Sequence, residues 1–251
     1  MKDNIIEFLY PKKTKNILQE IFPVRTIQNI PEWYKNLNHS AKRRTIKGCI
    51  PFLDTLTAGY ILKMPQDFYV KHNHVQGDRK DSSRNFAYAD CWAYLNDLDL
   101  NLNDNTENLH GIGQLGGKEG GCPFVEKNKN LPFYKIQNPF RIKTPPGYSC
   151  LFVPPLNNGD DRFEIISGIV DTDTFTSYIN FPIILNGDKY PVLETIIERG
   201  TPYVQVIPFK RDSWKMSIKE DYLSRPEAQL SISGRLIHNY KKLFWGKKSW
   251  R

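Results

Sequence analysis

Between Thr144 and Phe209 short apolar runs alternate with tight-turn residues, and this stretch restricts the fold more than any other part of the chain. Ser149 to Val153, Phe163 to Val170, Ser177 to Leu185 and Val204 to Pro208 are rich in β-branched and aromatic residues. They are bounded by TPPGY, LNNGDD, LNGDKY and ERGTP, where Pro fixes φ and Gly or Asn tolerates positive φ, which is the chemistry of tight connections between strands. The stretch therefore reads as a compact all-β unit.

Around it the pattern changes. Ile5 to Tyr10 reads as a strand stopped by Pro11, and Pro31 with Glu32 opens a short helix that docks Trp33 and Tyr34. Thr45 to Ala58 has helix-like apolar spacing at Ile50, Leu53 and Leu56, begins at Pro51 and ends at Gly59. Tyr60 to Met64 and Phe68 to His72 read as two strands of a hairpin turning at Pro65 and Gln66. From Gly77 to Asn108 the chain is polar, interrupted by FAYADCWAYL. At the far end Ser224 and Pro226 open a helix carrying Leu230, Ile237, Tyr240 and Phe244 on one side. Lys241, Lys242, Lys247, Lys248 and Arg251 make this end basic, interleaved with Trp245 and Trp250.

The expected fold is mainly β. A jelly-roll-like core spans about 140–209, the N-terminal elaboration 1–139 carries short helices, and a basic C-terminal helix and tail spans 224–251, all within one domain of 1–251. A chain of 251 residues is long enough to bury a real core. Its 39% hydrophobic and 13% aromatic content is too high for a disordered chain. A mean hydropathy of -0.53 without a long apolar run argues against a membrane span. The net charge of +8 favours acidic partners such as nucleic acid, although scattered lysines also serve solubility alone. Cys49, Cys91, Cys122 and Cys150 form no C-x-x-C pair, and MKDNIIEFLYP lacks the basic and apolar regions of a secretory signal, which fits a reducing cytosol.

Several residues could carry chemistry. Asp171 and Asp173 lie two apart, so in an extended strand both side chains would share one face, where paired carboxylates can activate water or hold Mg²⁺ on a nucleotide. The same residues can simply cap a turn. Gln205 should point away from Val204 and Val206, and Arg211 with Trp214 could contact phosphate and a base. His72 and His74 form an H-x-H pair with Asp78, Asp90 and Cys91 as further potential ligands, but no complete metal-binding motif is legible. GIGQLG at 111–116 matches the dinucleotide pattern formally, without the strand and helix that the pattern needs.

The order of the central blocks resembles the dUTPase and dCTP deaminase superfamily, the β-clip fold. Pro145, Pro146, Gly147 and Tyr148 fit its first turn, Gly168, Asp171 and Asp173 its Gly-x-x-Asp-x-Asp-Tyr hairpin, and Gly200 with Gln205 its last motif. The resemblance implies that Asp171 is the catalytic residue serving the water or the sugar, and Asp173, Phe175, Gln205 and Arg211 are the candidate ligand-binding residues. It implies self-association as well, since those enzymes are commonly trimers. Three positions depart from the pattern. Pro155 and Leu156 stand where an Arg-Ser pair would donate to phosphate, Thr174 stands for the base-stacking Tyr with Phe175 beside it, and no Gly-rich, Arg-containing tail follows.

The whole chain is also similar to proteins encoded by tailed phages of marine bacteria, which carry NPF-x-I-x-TPPGYS, GIVDTD and GTP-x-VQVIPFKRD-x-W blocks. The expectation is thus a phage-derived, non-catalytic β-clip protein making binding or assembly contacts, in the host cytoplasm or as a virion component. It would need no cofactor and no membrane, and would associate with itself, other virion proteins or nucleic acid. Two alternatives stay open: a dUTP- or dCTP-processing enzyme, which would use Mg²⁺, and a nucleic-acid-binding protein using the basic C-terminal region.

Overall fold

The computed structural model describes residues 4–40, 42–73, 123–128, 134–220, 240–241, 244–246 and 248. It is mainly β. Short helices α1 (Lys15–Leu18), α2 (Glu32–Lys35) and α3 (Ile50–Thr55) lie on the N-terminal side, as the sequence suggests, and α4 spans Pro123–Asn128. The expected C-terminal helix falls almost wholly outside the described residues.

The largest sheet is antiparallel, with spatial order β2 (Val24–Arg25), β3 (Tyr60–Lys63), β12 (Pro202–Lys210), β7 (Tyr148–Val153) and β9 (Gly168–Val170). A three-stranded sheet runs β5 (Tyr134–Gln137), β10 (Asn180–Leu185), β8 (Phe163–Ile165). Two further pairs join β1 (Glu7–Leu9) to β6 (Arg141–Lys143) and β4 (Phe68–Asn73) to β11 (Val192–Ile197).

Two expected connections differ. Tyr60 to His72 is not a hairpin: β3 pairs with β2 and β12, while β4 pairs with β11. Residues 60–73 instead run antiparallel to residues 192–206 as one long ladder, bent where both segments turn. Met64 N–H donates to Thr201 O, Gly200 N–H to Met64 O and Arg199 N–H to Asp67 Oδ1, so the bends are locked together and each half of the ladder enters a different sheet. Likewise Phe163 to Val170 is two strands. After Ile166 N–H bonds Pro182 O, the chain leaves β10 and crosses to pair with β7.

The core joins these layers and extends beyond 140–209. On the inner face of the large sheet Leu62, Cys150, Phe152, Val204 and Val206 pack against Phe163, Ile165, Phe181, Ile183 and Leu185, with Phe68, Val70 and Ile197 from the β4–β11 pair. Phe181 places its ring 5.2 Å from Phe152 and 5.8 Å from Tyr203. A register shift between Pro202 and Val204 adds one residue to β12, which lets Tyr203 and Val204 both reach this core.

On the outer face, α3 and its exit cover one end of the sheet. Gly59 sits there with φ +67°, and a Cβ at that position would lie 1.9 Å from Val206 O, so the backbone approach requires glycine. Beyond it, Tyr34 is buried and stacks on Phe52 at 5.9 Å, while Trp33 stays half exposed.

Candidate functional site

The expected site residues separate to the two ends of β7. At its start, Pro145 and Pro146 enter a turn closed by Tyr148 N–H to Pro145 O, and Gly147 takes φ +84°. This aligns Ser149 with Phe209 of β12 and brings it beside the end of β9. Ser149 Oγ donates to Asp171 Oδ1 at 2.6 Å.

Arg211, the first residue past β12, closes the group. Its N–H donates to Gly147 O, and its guanidinium reaches Tyr148 O at 3.2 Å, Ser149 Oγ at 2.9 Å, and Asp173 at 2.9 and 2.5 Å through two nitrogens. Asp171 Oδ1 lies 3.2 Å from the same guanidinium. Gly147 N–H adds a third donor to Asp173 at 2.8 Å.

The two carboxylates are thus unequal. The Asp173 side chain is only 6% exposed, and the Arg211 guanidinium, then the Gly147 N–H, hold its carboxyl down at about 2, below the usual 3.8. Asp171 is 60% exposed. They converge through Arg211 rather than through strand alternation, because 171–175 is a turn in which Thr174 and Phe175 N–H both donate to Asp171 O. Its flanking strands β9 and β10 lie in different sheets, so the expected hairpin around Asp171 is a crossover. Phe175 sits partly exposed on that turn.

Beneath the carboxylates Thr144 Oγ1 and Thr172 Oγ1 meet at 2.7 Å, and Thr172 Oγ1 donates to Cys150 Sγ at 3.3 Å. Burial pushes the Cys150 thiol up to about 11, so it is an inert packing group.

Gln205 belongs to the other end of β7, opposite Val153. It is buried along with Val204 and Val206, because β12 is covered on both faces there. Its Nε2 donates to Thr55 O and Ala58 O at 2.9 and 2.7 Å, and its Oε1 accepts from Leu156 N–H at 2.8 Å. Leu156 and Pro155, which occupy the phosphate-segment positions, therefore have no donor to offer: one N–H is spent on Gln205 and proline has none. Asn157 and Asn158 of the same turn bond Thr55 Oγ1 and Asn29 O. Within one chain this turn and Asp171 stand roughly 17 Å apart, the length of about five strand residues.

At the C-terminal end Trp245 Nε1 donates to both Asp54 carboxylate oxygens at 3.0 and 3.3 Å. Trp245, rather than the partly exposed Tyr240 and Phe244, thus ties this end to α3. His74, Asp78, Asp90, Cys91 and the 111–116 motif lie outside the described residues. Among the described residues no group of three or more His, Cys, Asp or Glu is arranged to hold a metal, and no helix is long and apolar enough to cross a membrane.

Sequence reasoning named Asp171, Asp173 and Arg211 but missed Ser149 and the Gly147 backbone. The signal was the TPPGYS turn itself, whose glycine places both next to the Asp turn. No protein-family model matches the chain, and no curated protein matches it.

Proposed function

We propose that this is a phage-derived, non-catalytic protein that makes assembly contacts, carried as a virion component. The observation that supports this reading is the Arg211 guanidinium seated on both carboxylates. An enzyme acting on dUTP would need Asp171 free to orient a nucleotide, with donors converging on its phosphates. Here the nearest cation is spent on Asp173, and the Pro155–Leu156 turn is consumed by Gln205 at the far end of β7. The pair does not fit Mg²⁺ either, since a metal at Asp173 would have to displace both Arg211 and the Gly147 N–H.

Loss of even one transition-state donor costs on the order of 10²-fold in rate, and here a whole phosphate segment is replaced. Purified protein should therefore leave dUTP and dCTP intact. Turnover that disappears in Asp171→Asn would overturn the reading in favour of the enzyme.

A further inference from the structure

Past Arg211 the chain leaves its own fold. Residues 213–219, SWKMSIK, alternate polar and apolar in strict period two, the pattern of a strand with one face to bury. Yet every residue from 211 to 220 is exposed, and Trp214, Met216 and Ile218 reach 90%, 89% and 88%. Scattered surface hydrophobes need no explanation, but three large ones on one face of a seven-residue extended arm do.

The same corner of the molecule offers a partly open apolar surface, with Ile169 exposed and Leu151 and Ile207 half-buried. Ile169, Leu151 and Ile207 are direct register neighbours across β9, β7 and β12, and alternation puts all three on the outer face with Phe209. The α3 layer covers only the Gln205 end of this face, leaving Ile169 63% exposed and Phe209 exposed beside it. The arm spans about 23 Å if extended, more than the roughly 10 Å from β12 to β9. Among the described residues it nevertheless leaves Ile169 and Phe209 exposed.

We propose that the arm of residues 213–219 docks on the Ile169–Leu151–Ile207 face of a second copy of this chain, and that the second copy returns its own arm. This deepens the assembly role proposed above and rests on it. Three features favour a second copy as the partner. The arm root and the acceptor face share one corner, so a two-fold axis there closes both contacts at once. The apolar side chains of the arm match an apolar row. The arm's other face carries Lys215 and Lys219, and the rim of the acceptor carries the exposed Asp171 carboxylate.

The clamp at Arg211 then acquires a purpose: its contacts with five residues, Gly147, Tyr148, Ser149, Asp171 and Asp173, fix the direction in which the arm departs, which lowers the entropy lost when it docks.

The test is light scattering and sedimentation of the full chain at micromolar concentration, with circular dichroism to check folding. Wild type should sediment at twice the 29.2 kDa chain mass. The arm variant Trp214→Ser/Met216→Ser/Ile218→Ser and the face variant Ile169→Lys should each weaken association at least about tenfold while keeping the native spectrum. Mixing the two variants rebuilds one arm-on-face contact and should restore a mixed dimer. A monomer for wild type at every concentration, a dimer indifferent to both variants, or no mixed dimer overturns the proposal. A blue-shifted Trp214 emission at monomer mass, which is the arm folding back on its own face, overturns it too. Nucleotide turnover by the same sample bears on the non-catalytic reading alone, so the two can fail separately.

Discussion

The two ends of β7 hold similar polar residues in opposite circumstances. At the Gln205 end a single amide is buried under α3, with its nitrogen and oxygen bound to Thr55, Ala58 and Leu156. At the Asp171 end Asp171 itself lies at the surface, while Arg211 covers Asp173 and Ser149 is buried between them. A buried polar group left unpaired costs its full desolvation, so the first end is a structural joint that tolerates no change. The second end is held by charge, which solvent and pH can reach. Residue type alone does not tell the two apart; cover does.

The largest effect expected from breaking this contrast is at the covered end. Gly59→Ala sets a methyl against Val206 O and also demands positive φ, so chemical denaturation should show a loss of more than about 3 kcal/mol, or no folded protein. Next comes Gln205→Leu. It strands the Leu156 N–H and two carbonyls of the α3 exit, and the same measurement should give a loss of about 2–3 kcal/mol.

At the charged end the effects are smaller and depend on pH. Asp173 has a folded value of about 2 against an ordinary 3.8, so its contribution is complete above about 4 and fades as pH falls toward 2. The melting temperature of wild type should exceed that of Asp173→Asn at pH 6, and the gap should close between pH 4 and 2. A gap that stays constant in that window would show that the folded protein does not hold the Asp173 carboxyl below its ordinary value. The smallest effect belongs to Asp171→Asn, whose exposed side chain should change stability by no more than about 0.5 kcal/mol at neutral pH.

Much of the fold was legible because its signals are local. Pro, Gly and Asn around short apolar runs marked β7, β10 and β12, and Pro31 and Pro51 marked α2 and α3, since each acts through its own φ or its missing N–H. Strand β11 was not identified, because Val192–Ile197 lies against a polar turn and presents Val192, Glu194 and Ile196 outward, which blurs its alternation. Trp214, Met216 and Ile218 were in plain view as a sequence, but their meaning depended on learning that no described residue covers them.

The sequence by itself determined that the chain is mainly β, placed β1, β3, β4, β7 and β12 close to where they lie, and singled out Asp171, Asp173 and Arg211. Tertiary structure alone decided which strands pair. It bent 60–73 and 192–206 into one shared ladder instead of a hairpin within 60–72, buried Gln205 between layers, and set Arg211 on Asp173 from 38 residues away. The physical reason is range: backbone preference and turn chemistry act within a few residues, whereas burial and ion pairing depend on which distant surfaces come together, and no local pattern encodes that.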